Sequence, residues 1–302
     1  MRVHVPNPRI AVVIPCYNDG EFLRDAVGSL TGQEAHELVV VDDGSNDPLT
    51  VTVLRELESA GTRVLHQPNQ GVSAARMAGV RATSAHYIFP LDGDDKVAPG
   101  ALAALADALD RDPDAVVAWG DVVFFGMGQS SIRLPTPKNL DPWYITYVNE
   151  IPEASMVRRS ALLATPGWQL TMGYEDWDLW LSLAERGGKG VRIGTVAELH
   201  RLHAPRRMAY LFTHHHQLEE DLRTRHADLF RHRPVNRRRS PSPLRLRLLV
   251  PVIERLGLSS EARLRVIFLL SHPVRLPTLW MLRLRWRLQQ RRAGTPPPTS
   301  PG

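Results

Sequence analysis

A short apolar run that ends in three carboxylates, at residues 88–95, constrains the fold more than any other feature. The run Ile88-Phe-Pro-Leu91 predicts a buried strand, and it stops at Asp92, Asp94 and Asp95. Carboxylates held this close repel one another unless a cation lies between them. Hard oxygen ligands suit Mg²⁺ or Mn²⁺, which usually also bind oxygens of a substrate phosphate. The segment therefore predicts a metal-dependent enzyme acting on a phosphate-bearing substrate, with a solvated acidic turn as the alternative.

Strand-like and helix-like segments alternate over roughly the first 120 residues, which is typical of βαβ units. The predicted strands cover residues 10–14, 38–41, 63–66, 87–91 and 115–119, and the predicted helices cover 22–30, 49–60, 71–82 and the segment after Pro99. Acidic and polar residues follow several of these strands, at the edge where open parallel sheets bind ligands. No G-x-G-x-x-G follows the first strand and no P-loop motif occurs, which argues against dinucleotide and P-loop chemistry.

The pattern is less regular beyond residue 120. Strands are predicted at 122–125 and 155–158, and helices at 175–186 and 208–230. The irregular segment 132–152 carries no motif, and we expect acceptor choice to depend on it.

The cysteine count and the absence of long apolar segments bear on the compartment. The single cysteine, Cys16, excludes a disulfide framework and fits a reducing environment. Residues 1–9 lack the apolar core of a secretory signal, and no segment approaches the ~18 consecutive apolar residues of a membrane-spanning helix. These features predict a cytoplasmic protein. Cys16 itself is interpreted as a small apolar filler.

The C-terminal segment is strongly basic. Residues 233–302 contain 15 arginines, no lysine and two acidic residues, a net charge of +13, so the first 232 residues carry −8. One interpretation is peripheral contact with the anionic inner face of the cell membrane. The other is a small helical subdomain packed on the acidic body; no nucleic-acid motif is present. The apolar residues interleaved with the arginines are Leu244, Leu248, Leu249, Ile253, Trp280, Leu282, Leu284 and Trp286.

Five segments together resemble the signature stretches of family 2 glycosyltransferases, which have the GT-A fold. They are Val13-Ile-Pro-Cys-Tyr-Asn18, Val39-Val-Val-Asp-Asp-Gly-Ser-Asn-Asp47, Asn69-Gln-Gly-Val-Ser-Ala-Ala-Arg76, Leu91-Asp-Gly-Asp-Asp95 and Gly173-Tyr-Glu-Asp-Trp-Asp-Leu-Trp180. They occur in the family's order, and the resemblance covers about residues 9–208. It implies an α/β fold: a Rossmann-type, mostly parallel sheet flanked by helices, here followed by a basic helical extension.

The first four segments are expected to hold the donor nucleotide. Asp42, at a strand end, can accept a hydrogen bond from a base N–H, and Tyr17 can supply a flat apolar face; a turn cap and a packed aromatic are the alternatives. Arg76 suits phosphate oxygens, with a solvated surface side chain as its alternative. The predicted donor-binding residues are Pro15, Tyr17, Asn18, Asp42, Asp43, Asn69, Gly71, Arg76, Asp92, Gly93 and Asp94.

The resemblance also implies a metal site and a catalytic base. Asp92, Asp94 and Asp95 are candidate ligands of Mn²⁺ or Mg²⁺, and which of Asp94 and Asp95 binds directly is left open. An inverting transfer needs a base opposite the leaving group. The family's acidic pair supplies it, so Asp176 is expected to be the base and Glu175 to orient or bind the acceptor. The alternative is that both only favour the start of a helix.

Further predictions concern the histidines and the aromatic residues near these motifs. His203 is a candidate metal ligand from a later stretch of the family, in which His200 stands where an aromatic is more usual. The run His214–His216 is interpreted as a solvated helix face, because consecutive residues diverge around a helix. Trp177, Asp178 and Trp180 are expected to combine acceptor contact with packing.

The whole pattern predicts an inverting, metal-dependent glycosyltransferase that moves a sugar from a nucleotide diphosphate, a UDP-sugar, to a hydroxyl of a glycan, glycolipid or polysaccharide. Residues 1–232 would form the catalytic domain, with a nucleotide-binding half (1–120) and an acceptor-binding half (121–232). Residues 233–294 would form the basic helical extension, and 295–302 a disordered tail. The alternatives are a sugar nucleotidyltransferase, which typically has a Gly-rich basic loop after the first strand, and a non-catalytic sugar-nucleotide-binding or membrane scaffold protein.

Overall fold

The computed structural model describes residues 8–126, 131–170, 173–202 and 206–272, with the backbone alone for 206–213. Several expectations therefore lie outside the described residues, namely those for His203, Trp280, Leu282, Leu284, Trp286 and the tail 295–302.

One sheet of nine strands runs through the described residues. The strands are β1 (Ile10–Cys16), β2 (His36–Asp42), β3 (Arg63–His66), β4 (Tyr87–Pro90), β5 (Lys96–Val97), β6 (Ala115–Phe125), β7 (Ile132–Leu134), β8 (Met156–Arg158) and β9 (Lys189–Arg201). Their order across the sheet is β3-β2-β1-β4-β8-β6-β9-β5, and β7 pairs with β6.

Helices cover the faces of the sheet and form the C-terminal part of the described chain. They are α1 (Gly20–Gly28), α2 (Pro48–Ser59), α3 (Val72–Arg81), α4 (Ala101–Arg111), α5 (Arg159–Leu163), α6 (Glu175–Glu185), α7 (Arg206–Arg225), α8 (Ala227–Arg231), α9 (Arg233–Arg239), α10 (Leu244–Glu254) and α11 (Ser260–Ser271), with a short 3-10 helix at Tyr144–Thr146. The predicted helix over 208–230 is interrupted at His226, where α7 gives way to α8.

The N-terminal half of the sheet is parallel, as the alternating pattern predicts. β1 pairs in parallel with β2 and β4, and β2 with β3. Every residue of β1 is buried, because helices cover both faces, and this explains its continuous apolar sequence. Parallel pairing brings the carboxyl ends of these strands to one edge. The segments that follow β1, β2, β3 and β4 therefore meet there.

The second half of the sheet contains parallel and antiparallel pairs, and its strands differ from the predicted ones in number and bounds. β8 is antiparallel to β4 and β6, whereas β9 is parallel to β6. Residues 115–125 form one strand where two were predicted, because Gly120 does not break it. A Cβ at Gly120 would lie 2.6 Å from the Cβ of Ala197 on β9, so the glycine permits close packing of neighbouring backbones. The strands β5, β7 and β9 were not predicted.

The core lies on both faces of the sheet. In β1, Ile10, Val12 and Ile14 belong to one buried cluster, and Ala11 and Val13 belong to the other, because successive side chains of a strand point to opposite faces. Cys16 is 1% exposed in the first cluster, and burial raises the pKa of its thiol to about 12. The thiol is therefore protonated at neutral pH and inert, as expected of a filler.

The chain divides into two compact units between Pro241 and Ser242. The first unit contains the sheet and α1–α9, so the arginines of α9 belong to it. The second contains α10 and α11, which pack on each other. Of the helices within the described ranges, none combines the length and hydrophobicity that a bilayer-spanning helix requires.

Candidate active site

The loops after β1 and β2 are joined through Asn18. Its backbone is left-handed, with φ 59°, a conformation that asparagine tolerates better than most residues. Its Oδ1 accepts hydrogen bonds from the backbone N–H groups of Asn46 (3.0 Å) and Asp47 (2.9 Å). Next to it, Tyr17 is 45% exposed. The first two predicted segments therefore form one surface, on which the Tyr17 ring is accessible.

Asp42 has a buried carboxylate at the end of β2. Its Oδ1 accepts from the backbone N–H of Ser45 (2.9 Å), and its Oδ2 lies 2.9 Å from Nδ1 of His66. The turn cap that was the alternative for Asp42 is thus present. The hydrogen bonds to Asp42 and, less strongly, to Glu58 raise the pKa of His66 above its usual value, against the opposing effect of burial. A cavity of about 280 Å³ lies beside this group.

Asp43 anchors the third segment to the second. Its Oδ1 accepts from the backbone N–H of Gln70 (2.9 Å) and the side chain of Gln67 (2.7 Å), and its Oδ2 accepts from the N–H of Gly71 (2.8 Å). Gly71 has φ 88°, which favours glycine. The exposed Asn69 lies on the same loop. Asp43 thereby fixes the loop that precedes α3.

Arg76 on α3 is a buried hub for three carboxylates. Its side chain is 0% exposed, so the solvated-surface alternative is wrong. Nη2 lies 2.7 Å from Oδ1 of Asp92 and also contacts Glu153, while Nη1 lies 3.4 Å from Oε1 of Glu175. The guanidinium carbon lies 5.8 Å from the centre of the Trp168 ring. Arg76 therefore joins the third, fourth and fifth predicted segments. Glu153 had no signal in the sequence.

The three aspartates after β4 converge as predicted. One carboxylate oxygen from each of Asp92, Asp94 and Asp95 lies within 4.8 Å of the others. Asp92 and Asp94 are half-buried and Asp95 is buried. A Cβ added at Gly93 would lie 3.3 Å from the carbonyl oxygen of Pro15, so this turn packs directly against the first segment. The number, spacing and hardness of these oxygens fit Mg²⁺ or Mn²⁺.

Two residues of β9, His200 and Arg201, hold the carboxylate of Asp95 in place. Its Oδ1 accepts from the backbone N–H of Arg201 (2.7 Å), and its Oδ2 lies 2.9 Å from Nδ1 of His200, which is also 3.0 Å from Oε1 of Glu198. Burial raises the pKa of Asp95. Burial lowers the pKa of His200, but the two facing carboxylates raise it more. No role was predicted for His200, although its position in Leu199-His-Arg-Leu-His203 was a usable signal.

The acidic pair lies at the start of α6. Glu175 is buried and faces Arg76, whereas Asp176 is half-buried. Both are in the first turn, where the helix dipole favours carboxylates, so this alternative accounts for part of their placement. The side-chain amide of Asn149 donates a 2.8 Å hydrogen bond to Oδ2 of Asp176. Asn149 belongs to the segment 132–152, in which no motif was recognised.

The rest of α6 is devoted to packing. Trp177 is buried and donates from Nε1 to the carbonyl of Ile145 (2.7 Å), and Trp180 is fully buried. Asp178 is fully buried and pairs with Arg225 (2.7 Å) and His226 (2.9 Å). The expectation that these α6 side chains also contact an acceptor has no support in this arrangement.

His215 overturns the expectation of a solvated histidine run. Its side chain is buried, and its Nδ1 lies 2.8 Å from the hydroxyl of Tyr174. Tyr174 precedes the acidic pair and has φ 61°. The histidine therefore points toward the start of α6, and the two neighbours, His214 and His216, are more exposed.

Comparisons with known proteins identify the family. The family model for glycosyl transferase family 2 matches residues 11–164. The uncharacterised glycosyltransferase YibD of Escherichia coli strain K12 is 32% identical over 186 residues, which cover 59% of this chain and 48% of that protein. A chondroitin synthase of Escherichia coli is 26% identical over 201 residues, covering 60% and 27%. The chain thus spans about half or less of the length of these relatives.

Solved structures show the same architecture. TarS of S. aureus in complex with UDP-GlcNAc superposes with a TM-score of 0.55 at 16% identity, covering 87% of this chain and 72% of that one. The mannosyltransferase PcManGT from Pyrobaculum calidifontis, in complex with GDP-Man and Mn²⁺, superposes with a TM-score of 0.57 at 16% identity, covering 94% and 81%. These likenesses establish the GT-A fold.

Proposed function

The chain belongs to glycosyl transferase family 2 and is a glycosyltransferase, and on this premise we propose that it is an inverting, metal-dependent enzyme that uses a UDP-sugar. The observation that carries the proposal is the position of Arg76, whose buried guanidinium bridges Asp92 (2.7 Å) and Glu175 (3.4 Å). One side chain thereby links the candidate metal and donor carboxylates to the acidic pair expected to act on the acceptor.

The donor nucleotide would lie across the loops that follow β1, β2 and β3. The exposed ring of Tyr17 offers a stacking face, and Asp42 offers a carboxylate at the adjacent strand end. Pro15, Asn18, Asp43, Asn69 and Gly71 would shape this surface. TarS, which was solved with UDP-GlcNAc, supports a UDP-sugar.

The pyrophosphate of the donor would lie beside the three aspartates after β4. Asp92, Gly93 and Asp94 would contact it, and Asp92, Asp94 and Asp95 would hold a Mn²⁺ or Mg²⁺ ion, with His203 as a further candidate. When bound, such an ion supplies charge that offsets the negative charge growing on the departing nucleoside diphosphate.

Asp176 would act as the base. Its carboxylate would take the proton from the acceptor hydroxyl while that oxygen attacks the anomeric carbon. The bond between the anomeric carbon and the phosphate oxygen breaks at the same time, and its electron pair leaves with the nucleoside diphosphate. Inversion of the anomeric centre follows, because attack and departure occur on opposite faces of the sugar. Glu175, fixed by Arg76, would orient the acceptor.

The acceptor would be a hydroxyl of a glycan or a lipid-linked saccharide, as polysaccharide synthases among the relatives suggest. We also propose that the enzyme works in the cytoplasm, at the inner face of the cell membrane. The basic extension, with its many arginines, supports peripheral contact with anionic lipid.

A thermal-shift screen of nucleotide sugars tests the donor. A ligand that binds only the folded state raises the melting temperature, and at equal concentration a tighter ligand raises it more. UDP-sugars with Mn²⁺ are therefore expected to stabilise the protein more than GDP-sugars or either component alone. An equal shift in EDTA contradicts metal-dependent binding. Release of pyrophosphate, in place of nucleoside diphosphate, during turnover would instead identify a nucleotidyltransferase.

Substitution of the base tests the mechanism. Asp176→Asn is expected to keep the donor-induced thermal shift and to lose transfer, because the amide cannot accept the proton. Asp228→Asn, an exposed change on α8, serves as the matched control and is expected to keep both. Wild-type turnover by Asp176→Asn removes this residue from the role of base.

A further inference from the structure

The second unit presents an exposed apolar face along α10. Leu244, Leu248 and Val252 recur every four residues and are 65%, 62% and 51% exposed, and Leu256, just beyond the helix, is 61% exposed. Residues spaced in this way lie on one side of a helix, and the row extends roughly 18 Å at 1.5 Å per residue. Leu249 widens it. We call these five residues the leucine face.

The opposite side of α10 is buried, which shows that the leucine face is distinct from the packing side. Leu246, Val250 and Ile253 are at most 7% exposed. Ile253, which was predicted to be one of the interfacial apolar residues, therefore belongs to the packed side.

Arginines share the leucine face, and no acidic residue of α10 does. Arg245 and Arg255 are exposed and fall within the same arc of the helix. Glu254 follows Val252 by two residues, and two residues correspond to roughly 200° around a helix, so it lies on the opposite side. Exposed leucines beside arginines are typical of helices that lie in a membrane interface, with apolar side chains among the acyl chains and guanidinium groups at lipid phosphates.

We propose that the leucine face, with Arg245 and Arg255, docks the enzyme on an anionic phospholipid bilayer. This inference deepens the peripheral location included in the proposed function. The charge pattern favours lipid over a second copy of the chain. In a two-fold interface the same patch faces itself, so the arginines of one copy would approach those of the other, whereas anionic phosphates complement them.

Vesicle co-sedimentation of the full chain tests the proposal. The wild-type protein is expected to bind vesicles of phosphatidylglycerol and phosphatidylcholine, to bind pure phosphatidylcholine weakly, and to bind less at high salt. The double variant Leu248→Asp/Val252→Asp is expected to lose about tenfold or more in binding. Leu163→Asp, at a leucine on α5 that is 50% exposed, is the matched control and is expected to bind like wild type.

Charge reversal tests the arginines separately. Arg245→Glu/Arg255→Glu is expected to abolish the preference for phosphatidylglycerol, and Arg111→Glu, an exposed change on α4, is expected to preserve it. Equal binding of the wild-type protein to vesicles with and without phosphatidylglycerol overturns the proposal, as does wild-type binding by Leu248→Asp/Val252→Asp or an unchanged preference in Arg245→Glu/Arg255→Glu. The proposal is also overturned if light scattering shows that the wild-type protein is a dimer and that Leu248→Asp/Val252→Asp is not.

Failure of this proposal is distinguishable from failure of the proposed function. The aspartate variant is expected to keep the wild-type melting temperature and the wild-type rate of donor hydrolysis in vesicle-free buffer. Loss of vesicle binding with intact hydrolysis supports docking. Vesicle binding does not depend on turnover, so an enzyme that transfers no sugar from any donor tested would refute the function and leave the docking result standing.

Discussion

Asn149 holds the carboxylate of Asp176 in one orientation. Its Nδ2 donates to Oδ2 of Asp176 (2.8 Å), while the backbone N–H of Ile151 donates to its Oδ1 (3.0 Å). The second bond determines which end of the amide faces Asp176, because Oδ1 is already committed to a donor. The proposed base thus receives a hydrogen bond from a segment remote in sequence, and this bond fixes the direction of its carboxylate.

Asn149→Asp is expected to move the pH dependence of the reaction. A second carboxylate beside Asp176 disfavours ionisation of both, so the acid limb of kcat/KM should shift to higher pH, by about one unit or more. The measurement is the pH profile of transfer. Asn139→Asp, an exposed change in the same irregular segment, adds equal charge and is expected to leave the profile unchanged. Identical profiles for both variants would mean that Asn149 does not position the base.

Arg76→Ala is expected to reduce both stability and donor binding. Removing a buried guanidinium leaves Asp92, Glu153 and Glu175 without their shared cation, and breaking a buried ion pair costs about 3–5 kcal/mol. Urea unfolding gives the free energy, and calorimetry with a UDP-sugar and Mn²⁺ gives the affinity. The control is Arg24→Ala, which removes an exposed ion pair with Glu56; the two side chains are 50% and 54% exposed. Its expected cost is about 0–1 kcal/mol of unfolding free energy. If Arg76→Ala loses no more unfolding free energy than the control, the ion pairs of Arg76 are dispensable for stability.

The parallel half of the fold was predictable because its strands are buried on both faces and therefore have continuous apolar sequences. Strand β9 was not predictable, because glycines and charged residues interrupt its apolar sequence and because its place beside β6 depends on long-range packing. The site shows the same division. Segments that resemble the family singled out Asp92 and Asp176 as candidates, but they did not predict that Arg76 is buried in contact with Glu175, which lies 99 residues further along the chain. Asn149, Glu153 and His200 reach the site only through such packing.

Asp94→Asn and Asp95→Asn are expected to have different effects. Asp95 accepts from the backbone of Arg201 and faces His200, so its substitution should lower the unfolding free energy by about 1–3 kcal/mol. Asp94 is half-buried at the same turn, and its substitution should weaken Mn²⁺ binding by about tenfold or more with little effect on stability. Urea unfolding measures the effect of each substitution on stability. Titration with Mn²⁺, in which electron paramagnetic resonance reports the free ion, measures its effect on metal binding. If Asp94→Asn retains wild-type Mn²⁺ affinity, Asp94 is not a ligand.

Asp178→Asn is expected to make stability less dependent on pH. Burial alone would raise the pKa of Asp178, but hydrogen bonds from His226 and Arg225 outweigh it and leave the pKa below the ordinary value. A carboxylate with a lowered pKa stabilises the fold above its unfolded-state pKa of about 4, and this contribution is lost as pH falls through the lowered value. Urea unfolding at pH 7 should therefore show Asp178→Asn less stable by about 3 kcal/mol, with the gap to wild type closing toward pH 3. Asp114→Asn, which removes an exposed partner of Lys189, should follow the wild-type curve throughout. A gap that stays constant from pH 7 to pH 3 would mean that the ionisation of Asp178 does not contribute to folding.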